Sequence, residues 1–414
     1  MVPNGWLKTD LNPFIDIKHG FAFKSEYFRE EGEYVLLTPG SFYEPGGFRD
    51  QKNKTKYYVG DIPKGYLLSK GELLVAMTEQ AAGLLGSTLF VPSHDRYLHN
   101  QRLGLIQIKD KNGICPEFLY LTYNSPYVRK QIAEQSTGTK VKHTSPDKLK
   151  SVICLLPPLP EQRKIAKILS TWDKAISTAE KLIETSKQQK KALMQQLLTG
   201  KKRLVNPETG KAFEGEWEEV KVSTLITKHS EKTETNKQYP VLTSSRKGIY
   251  FQSDYYNDRD VASEDTTGYN VVPRGYFTYR HMSDDLVFKF NRNTICDKGI
   301  VSTLYPVFAA KEEAVVPYLL QAILNEGSAF KRFSLSQKQG GSRTYMYLSK
   351  LNELKIQIPS LTEQQKITSA LTAADKEIEV LEAKLAHFKQ EKKALMQQLL
   401  TGKRRVKVDE MEVA

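Results

Sequence analysis

The feature that most constrains this 414-residue chain is an internal repeat. Residues 190–201 recur without change at 392–403, which lie 202 positions further along the chain. At that offset, 26 of the 48 residues from 156 to 203 are identical to their counterparts, among them Glu161 and Gln162. Self-similarity at a fixed period indicates that one structural unit is used more than once. We therefore expect a chain built from two similar halves.

Each copy of the repeat has the pattern of a long helix. Mostly apolar side chains recur at alternating steps of four and three residues, from Ile165 to Leu197 in the first copy and from Ile367 to Leu399 in the second. Five heptads of this kind predict two coiled-coil helices, each of about 37 residues and about 55 Å at 1.5 Å per residue. The alternative is two amphipathic helices, each within the core of a larger domain.

Signals for helix ends flank both copies. Pro157 and Pro359 precede the helices, and Gly200 and Gly402 follow them together with basic residues. Proline favours an extended approach, whereas glycine and cations favour the carboxyl end of a helix. Lys190 and its counterpart in the second copy occupy the same seam position, where a lysine disfavours symmetric pairing and helps to fix the register.

Two segments of similar size, 1–155 and 204–357, lie outside the repeats. Both contain short apolar stretches separated by glycine, proline and asparagine, which predict strands, and short helices are predicted at 116–123 and 317–324. The sequence therefore indicates a mixed α/β (α+β) fold, in which two globular domains alternate with two long antiparallel coiled-coil helices in a pseudo-twofold arrangement. The predicted boundaries are 1–155 for the first domain, 156–203 for the central spacer helix, 204–357 for the second domain, 358–405 for the C-terminal spacer helix and 406–414 for a tail.

Composition excludes several classes of protein. The chain is 39% hydrophobic and 26% charged, and it contains only three cysteines. It has no apolar run near the ~18 residues that a membrane helix needs, and its first residues lack the basic and apolar regions of a signal peptide. We therefore expect a protein of the reducing cytoplasm, without a disulfide framework and without a membrane partner.

The net charge of +13 arises from 61 Lys and Arg against 48 Asp and Glu. Such an excess favours a polyanionic partner, either nucleic acid or an anionic surface. Residues 161–203 contain 11 basic and 4 acidic residues, and residues 363–405 contain 9 and 6, so ten of the thirteen net charges lie on the repeats. We expect this helical charge to meet phosphates or an acidic partner, and base recognition to depend on local loops.

The motifs of catalysis and of cofactor binding are missing from the sequence. There is no phosphate loop, no glycine-rich dinucleotide motif, no amino-methyltransferase motif, and no Cys or His pair at metal-ligand spacing. Glu353 and Lys355 match half of a nuclease motif, but the nearest upstream aspartate, Asp297, is too far away in the sequence. We therefore expect no catalytic residues, no metal and no cofactor.

Several loops interleave basic, amide and aromatic residues, the combination that contacts phosphates and base edges. Each loop alone is equally compatible with a solvated turn, but the set favours contact with DNA. The candidate DNA-binding residues of the first segment are Arg49, Lys52, Lys54, Lys56, Arg96, Asn100, Gln101, Arg102, Lys140 and Lys142. Those of the second segment are Arg246, Lys247, Arg280, Arg292, Gln337, Lys338 and Arg343.

The order of these parts resembles the specificity (S) subunit of type I restriction-modification systems. Two different segments are separated by duplicated helices, each entered by Pro-x-Leu-x-Glu-Gln and ended by Leu-Leu-Thr-Gly-Lys. The sequences His-Gly-Phe-Ala-Phe-Lys-Ser at 19–25 and Gly-Glu-Trp-Glu at 215–218, near the starts of the two segments, add to the resemblance. It spans essentially the whole chain.

The resemblance implies a non-catalytic DNA-recognition subunit. The two segments would be target recognition domains, each recognising one half of a bipartite, asymmetric site in double-stranded DNA, and the helices would be conserved spacers. Each spacer would dock one modification subunit, which carries S-adenosylmethionine and methylates adenine, and restriction subunits would join that core. Little chain precedes Trp6, so an N-terminal conserved region would be short or missing. A helix of about 55 Å would separate the half-sites by at most about 16 base pairs at 3.4 Å each.

Three alternatives stay open at the level of the sequence. The chain could be a coiled-coil scaffold or assembly protein with two ligand-binding domains, its basic charge serving solubility. It could be a nuclease or methyltransferase that acts alone, although the motifs for either are missing. Within the family, it could be the S subunit of a fused modification–restriction enzyme, since only the partner would differ.

Overall fold

The structure, a computed structural model, describes residues 2–79, 83–257, 262–338 and 343–408. The chain divides into two compact units. Unit 1 comprises residues 1–180 and 384–414, and unit 2 comprises residues 181–383. Each unit therefore contains one globular region together with part of each of the two long helices.

Unit 1 is mainly a β structure to which short helices are added. Its strands are β1 (Leu7–Thr9), β2 (Ile15–His19), β3 (Phe28–Arg29), β4 (Tyr34–Leu36), β5 (Tyr57–Tyr58), β6 (Leu67–Leu68), β7 (Leu73–Ala76), β8 (Thr78–Glu79), β9 (Thr88–Phe90), β10 (Tyr97–Leu98), β11 (Leu103–Ile108), β12 (Lys142–His143) and β13 (Cys154–Leu156). Its helices are α1 (Pro116–Tyr123), α2 (Pro126–Glu134), α3 (Pro146–Lys150) and the first part of the long helix α4 (Leu159–Leu197).

Unit 2 contains the same kinds of element in a similar order. Its strands are β14 (Glu218–Lys221), β15 (Ile226–His229), β16 (Leu242–Ser245), β17 (Gly248–Phe251), β18 (Asn270–Pro273), β19 (Phe277–Thr278), β20 (Met282–Ser283), β21 (Asn291–Arg292), β22 (Lys298–Val301), β23 (Val307–Ala310), β24 (Thr344–Tyr345) and β25 (Lys355–Ile358). Its helices are α5 (Val222–Leu225), α6 (Gln252–Tyr255), α7 (Pro317–Glu326), α8 (Ser328–Ser336), α9 (Leu348–Leu351) and the first part of α10 (Leu361–Leu399).

Both units contain the same four-stranded antiparallel sheet. Its order is β2-β11-β7-β9 in unit 1 and β15-β23-β19-β21 in unit 2. Apolar and polar residues alternate in the edge strand β2, where Ile15 and Ile17 are buried and Asp16 between them is exposed, whereas the central strand β7 is buried throughout. The expectation of one fold used twice is therefore confirmed for this sheet, although the sequences of the two segments share little.

The helices beside the sheet also repeat. The consecutive pair α1 and α2 corresponds to α7 and α8, and Pro116, Pro126 and Pro317 each stand in a first turn, where proline suits the helix and loses no hydrogen bond. The short strand β12 and helix α3 recur 202 residues later as β24 and α9. The prediction of short helices after residues 116 and 317 is confirmed.

The two units differ outside this common scaffold. Unit 1 adds a five-stranded sheet of order β3-β5-β4-β10-β6, whereas unit 2 has the separate pairs β16–β17 and β18–β22. These additions contain the loops that follow residues 43, 94 and 243, which are rich in basic and amide side chains. The shared elements thus carry the loops that diverge most between the two units.

The two predicted long helices are confirmed. Helices α4 and α10 contain 39 residues each, which corresponds to about 58 Å at 1.5 Å per residue. In unit 1, Asp173 of α4 pairs with Lys392 at 2.5 Å and Glu180 pairs with Lys389 at 2.7 Å. Because a residue further along α4 pairs with a residue nearer the start of α10, the two helix segments of this unit run antiparallel.

The same pairs recur in unit 2 with the two helices exchanged. Lys190 of α4 forms an ion pair with Asp375 of α10, and Lys187 pairs with Glu382 at 2.6 Å. Each of these residues lies 202 positions from its counterpart in unit 1. The repeated seam lysine therefore pairs with an aspartate of the facing helix, and part of the helical charge is neutralised by the other helix.

The Glu-Gln pair of the repeated motif joins the start of each long helix to two different parts of its unit. Gln162 accepts a hydrogen bond from the Cys115 backbone N–H at 3.0 Å and donates to the Gly113 carbonyl at 2.7 Å. Gln364 accepts from the Val316 N–H at 2.9 Å and donates to the Ala314 carbonyl at 3.1 Å in the same way. The glutamine thus joins the spacer helix to the chain just before the first helix of the adjacent helical pair.

The preceding glutamate contacts the end of the other long helix. In unit 1, Glu161 receives hydrogen bonds from Arg405 and, at 3.0 Å, from the indole of Trp6. Arg405 also donates to the Asn4 carbonyl at 2.8 Å, as Arg203 of unit 2 donates to the Gly215 carbonyl at 2.8 Å. The short N-terminal segment therefore occupies in unit 1 the place that residues 215–217 occupy in unit 2.

Each hydrophobic core includes turns from both long helices. The core of unit 1 contains Ile165 from the start of α4 and Leu399 from the end of α10. The core of unit 2 contains Ile367 from the start of α10 and Leu197 from the end of α4. The heptad residues at the two ends of each long helix are therefore buried against the globular regions. Among the described helices, none is both long and apolar enough to cross a membrane.

Candidate nucleic-acid interface

In unit 1, two of the basic loops meet around a polar cavity. Arg49 and Lys52 come from the loop before β5, and Arg96 directly precedes β10. The three residues line a cavity of about 310 Å³ together with Gln51 and Tyr57. Strands β4, β5 and β10 bring them together because β4 pairs with both of its neighbours. Three cations around one polar cavity are suited to bind an anionic or hydrogen-bond-accepting ligand.

Gln51 helps to shape this cavity without offering its amide to a ligand. Its Nε2 donates to the Thr38 hydroxyl at 3.0 Å and to the Ser41 hydroxyl at 2.8 Å. Lys52 adopts a left-handed backbone conformation with φ of 50°, which turns the chain directly after Gln51. The loop is therefore held from inside while Arg49, Lys52 and Arg96 stay exposed.

Asn100, Gln101 and Arg102 lie on a second loop that is fixed by the segment around Gly20. The Phe21 N–H donates to the His99 carbonyl and the Gln101 N–H donates to the Phe21 carbonyl, both at 2.9 Å. A Cβ on Gly20 would lie 2.0 Å from the Asn100 carbonyl oxygen, so this close approach requires glycine. The segment 19–25 therefore supports a candidate DNA-binding loop.

The loop that contains Lys140 and Lys142 lies beside Arg102. Met77 connects them, since its N–H donates to the Arg102 carbonyl at 3.0 Å and its carbonyl accepts from the Thr144 N–H at 3.0 Å. Two hydrogen bonds between Thr137 and His143 close a hairpin that exposes Lys140. Lys142 is half-buried opposite Glu79 in the strand register. Arg102, Lys140 and Lys142 thus form a second basic group in unit 1.

Lys54 and Lys56 belong to neither group by their contacts. Lys54 ends a short 3₁₀ turn and is exposed, and the Lys56 ammonium lies 5.6 Å from the centre of the Phe28 ring. Such a cation–π contact holds the lysine stem against the surface and leaves its charge accessible. Both stay candidates for contact with phosphate rather than with bases.

In unit 2, Arg246 and Arg280 line a polar cavity of about 230 Å³ with Tyr255, Tyr256 and Tyr305. Arg246 lies in the turn between β16 and β17, and Arg280 lies just before β20. Both are exposed, and the tyrosines supply flat apolar faces beside them. Cations combined with aromatic rings suit contact with nucleic acid. Lys247, next in the turn, is exposed but does not line this cavity.

Arg343 lies at the same edge of unit 2 as Arg246, because each arginine pairs with one of two adjacent aspartates. Arg246 pairs with Asp285 at 2.6 Å, and Arg343 pairs with Asp284 at 3.0 Å. Asp284 also lines the cavity. The turn after β20 therefore brings together two arginines that lie 97 positions apart in the sequence.

Arg292 lies elsewhere in unit 2. Its side chain is half-buried, and its Nε finds no hydrogen-bond partner within the described part of the chain. It lies close enough to Tyr318 for its charge to influence the pKa of that phenol, which burial and a 2.5 Å hydrogen bond to Asp375 raise. Arg292 lines neither of the two polar cavities, and its contact with DNA stays a prediction.

Gln337 and Lys338 directly follow α8. Gln337 is half-buried and Lys338 is exposed, and neither lines the cavity that contains Arg246. The loop predicted at 336–345 includes residues 339–342, which lie outside the described residues, as does 409–414 of the predicted tail. For this loop the alignment with 136–143 therefore stays a prediction, supported by the matching strands β12 and β24.

The titratable groups of the described residues do not form a catalytic or metal centre. No group of three or more His, Cys, Asp or Glu side chains that could hold a metal is found in the part of the chain that the structure describes. Burial raises the pKa of Cys154 to about 12, which keeps it a protonated, apolar side chain. Burial also lowers the pKa of His99 to about 4, while its Nε2 contacts the Leu103 carbonyl at 2.9 Å. These groups stabilise the fold.

Sequence reasoning missed the acidic residues at this interface. Asp284 and Asp285 lie four and five positions after Arg280, whereas composition favours only basic and amide residues for a surface that binds a polyanion. The signal in the sequence is this short separation from Arg280. Tyr255, Tyr256 and Tyr305 were also missed, because their proximity to Arg246 depends on strand pairing that the sequence does not specify.

The chain thus contains two globular regions that share one scaffold, differ in their basic loops and are joined to duplicated helices. The chain belongs to the family described as the type I restriction modification DNA specificity domain, whose model matches residues 3–187 and 214–390. Family membership confirms the resemblance inferred from the repeat. It also agrees with the prediction that the chain recognises DNA and is not itself an enzyme.

Curated relatives carry the same description. The type I restriction enzyme MjaVIII specificity subunit of Methanocaldococcus jannaschii is 27% identical over 334 residues, which are 73% of this chain and 74% of the relative. The putative type I restriction enzyme MjaX specificity subunit of the same organism is 27% identical over 382 residues, which are 84% of this chain and 83% of the relative.

Solved structures share the fold. The S subunit of a type I restriction-modification system from M. genitalium has a TM-score of 0.58 at 15% identity, covering 97% of this chain and 98% of that chain. A chain from work described as the structural basis of complex assembly and conformational transition of the type I R-M system has a TM-score of 0.55 at 14% identity, covering 98% and 100%. At these identities the likeness concerns the fold alone, and it confirms the predicted fold class.

Proposed function

We propose that this chain recognises a bipartite, asymmetric site in double-stranded DNA, with residues 1–155 and 204–357 each recognising one half-site. The observation that carries the proposal is the contrast between the two parts of the repeat. The order of the four-stranded sheet recurs and the helix contacts recur at the offset of 202 residues, whereas the loops that hold Arg49, Arg96, Arg246 and Arg280 differ. Different loops on one scaffold suit two different half-sites.

The duplicated helices support a second part of the proposal, the docking of two modification subunits. Residues 190–201 and 392–403 are identical, so each long helix offers the same side chains to a partner. Restriction subunits would join this core, and the modification subunits would supply the methyl donor and the adenine methylation. The basic residues of the helices that are not paired with the other helix would face phosphates or an acidic partner. The cytoplasmic location stays a prediction.

Selection from a random pool of duplexes tests the proposal. The chain, assembled with its modification subunit, would be incubated with random DNA, and the retained duplexes would be sequenced. We expect enrichment of two short, different sequences separated by a gap of constant length. Retention without any enriched sequence, or enrichment of one continuous motif, would contradict bipartite recognition. The chain incubated alone with Mg²⁺ or a methyl donor is expected to leave the DNA unchanged, whereas cleavage or methylation would support an enzyme.

A further inference from the structure

Two aspartates stand where a DNA-binding surface would ordinarily carry only positive charge. Asp285 accepts a hydrogen bond from Nη2 of Arg246 at 2.6 Å, and Asp284 accepts one from Nε of Arg343 at 3.0 Å. All four side chains are at least half exposed. Exposed pairs of this kind contribute little to stability, so stability alone gives a weak reason for their presence.

Asp285 is itself held in place by the turn. The same Oδ1 that binds Arg246 accepts hydrogen bonds from the Ser283 hydroxyl at 2.9 Å and from the Val287 N–H at 3.3 Å. Ser283 is buried and lies opposite Thr344 in the pairing of β20 with β24, which anchors the turn to the strand that follows Arg343. The carboxylate therefore has a defined position before any ligand binds.

The backbone beneath Arg246 is also fixed. The buried Asn291 donates through Nδ2 to the Ser244 hydroxyl at 2.9 Å and to the Ser245 carbonyl at 2.8 Å. Arg246 is thus restrained at both ends, by Asn291 below the turn and by Asp285 at the guanidinium. A side chain that is already ordered loses less conformational entropy when it binds.

A restrained guanidinium keeps the donors that base recognition needs. Arginine has five N–H donors, and the aspartate uses only part of them. Paired arginine donors match the N7 and O6 acceptors of guanine, which is the most common base-specific contact in the major groove. The cavity beside Arg246 is bordered by Arg280 and tyrosine rings, so a base in this cavity would contact several of these side chains at once.

We propose that Asp284 and Asp285 are positioning residues that hold Arg343 and Arg246 for recognition of guanine in the half-site bound by residues 204–357. The aspartates would act through the arginines without touching DNA themselves. This inference rests on the proposed function, because it assigns a specificity-determining arrangement within the second recognition surface.

The test relies on affinity changes of opposite direction, one expected from loss of the negative charge and the other from loss of arginine positioning. The chain assembled with its modification subunit would be titrated with a duplex carrying the selected site and with one whose second half-site is scrambled. Removing a negative charge alone should tighten both complexes. Loss of positioning should instead weaken the specific complex. For Asp285→Ala we expect the ratio of specific to non-specific affinity to fall about tenfold, while binding to the scrambled duplex becomes no weaker.

Two further variants separate position from charge. Asp285→Asn removes the same charge but keeps an acceptor oxygen for Arg246, so it should restore part of the discrimination that Asp285→Ala loses. Asp297→Ala is the matched control, because Asp297 pairs with Arg274 at 2.9 Å on the same unit without lining this cavity. It should leave the affinity ratio unchanged. Equal effects of Asp285→Ala and Asp285→Asn would overturn the proposal.

A double-mutant cycle with Arg246 completes the test. In an Arg246→Ala background, Asp285→Ala should cause no additional loss of discrimination, since the aspartate acts through that arginine. An additional loss of similar size would show that Asp285 only maintains the loop, and would contradict the positioning role. If the wild-type complex does not distinguish the two duplexes, the proposed function fails; if it does and Asp285→Ala leaves the ratio intact, only the present inference fails.

Discussion

Arg203 donates through Nε and Nη2 to the two carboxylate oxygens of Glu363, at 2.6 and 2.7 Å. Arg405 holds Glu161 in the same bidentate way, with both distances at 2.8 Å. Both glutamates are almost completely buried. Within each unit, the arginine thus neutralises a buried carboxylate by joining the segment after one long helix to the first turn of the other.

We expect Arg203→Ala to destabilise unit 2 strongly. The substitution leaves the buried charge of Glu363 without its partner, which costs about 3–5 kcal/mol for a broken buried pair. Urea unfolding followed by tyrosine and tryptophan fluorescence measures this loss. Lys187→Ala is the control, because the Lys187–Glu382 pair is half exposed and should cost less than about 1 kcal/mol. Equal losses for the two variants would contradict a stabilising role for the bidentate pair.

The fold of unit 1 should lose stability in mild acid because of His99. Burial lowers the folded-state pKa of His99 to about 4, against an ordinary value of 6.5 for histidine. The unfolded chain therefore binds the proton first as the pH falls below about 6.5, and stability decreases from there to about pH 4, by about 3 kcal/mol in total. Unfolding free energies from pH 7.5 to 4.5 measure this slope. His99→Gln should flatten it relative to wild type, and an unchanged slope would exclude His99 as its source.

Arg96 and Lys140 should differ in what their loss does to DNA binding. Arg96 lines the cavity of unit 1, so Arg96→Ala should weaken binding to the specific duplex by about 1–3 kcal/mol and relax the preference at one position. Lys140 is exposed at a hairpin tip, and Lys140→Ala should weaken all duplexes alike while reducing the salt slope by about 1. Affinities measured at several salt concentrations distinguish the two. Unchanged binding at every concentration would remove either residue from the interface.

The length of the long helices should set the gap between the half-sites. Four residues inserted near 178–182 of α4, with four more near 380–384 of α10 to keep the pairing, add about 6 Å at 1.5 Å per residue. We expect the gap to lengthen by about two base pairs at 3.4 Å each, with both half-sites unchanged. Sequencing of selected duplexes measures the gap. An altered half-site, or an unaltered gap, would contradict the role of the helices as a spacer.

Much of the fold could be predicted because the repeat constrains it. The heptads predict the two long helices, and the short helices predicted at 116–123 and 317–324 correspond to α1 and α7. The sheet order was not predictable, since strands as short as β7 and β19 carry no information about their neighbours. The domain boundaries at 155 and 357 stay predictions. The strands at these positions, β13 and β25, pair with strands at the other end of their own segments.

The candidate site could be predicted only in part, since composition selects loops without showing where side chains point. Arg49, Lys52 and Arg96 do meet around one cavity, whereas Arg292 lines neither of the two polar cavities. The sequence contains no signal that separates Arg292 from the other basic residues of its segment. Asp285, by contrast, is an acidic residue that composition does not select, and only its hydrogen bond to Arg246 makes it part of the candidate site.

The most direct measurement is the methylome of cells that carry this chain together with its modification subunit. Recognition of a bipartite site by two different domains predicts a split, asymmetric motif with methyladenine on both strands. It also predicts that replacing residues 1–155 with the corresponding segment of a relative changes one half of that motif and leaves the other half intact. A continuous or palindromic motif, methylation without a defined sequence, or a change in both halves on replacement would contradict this account.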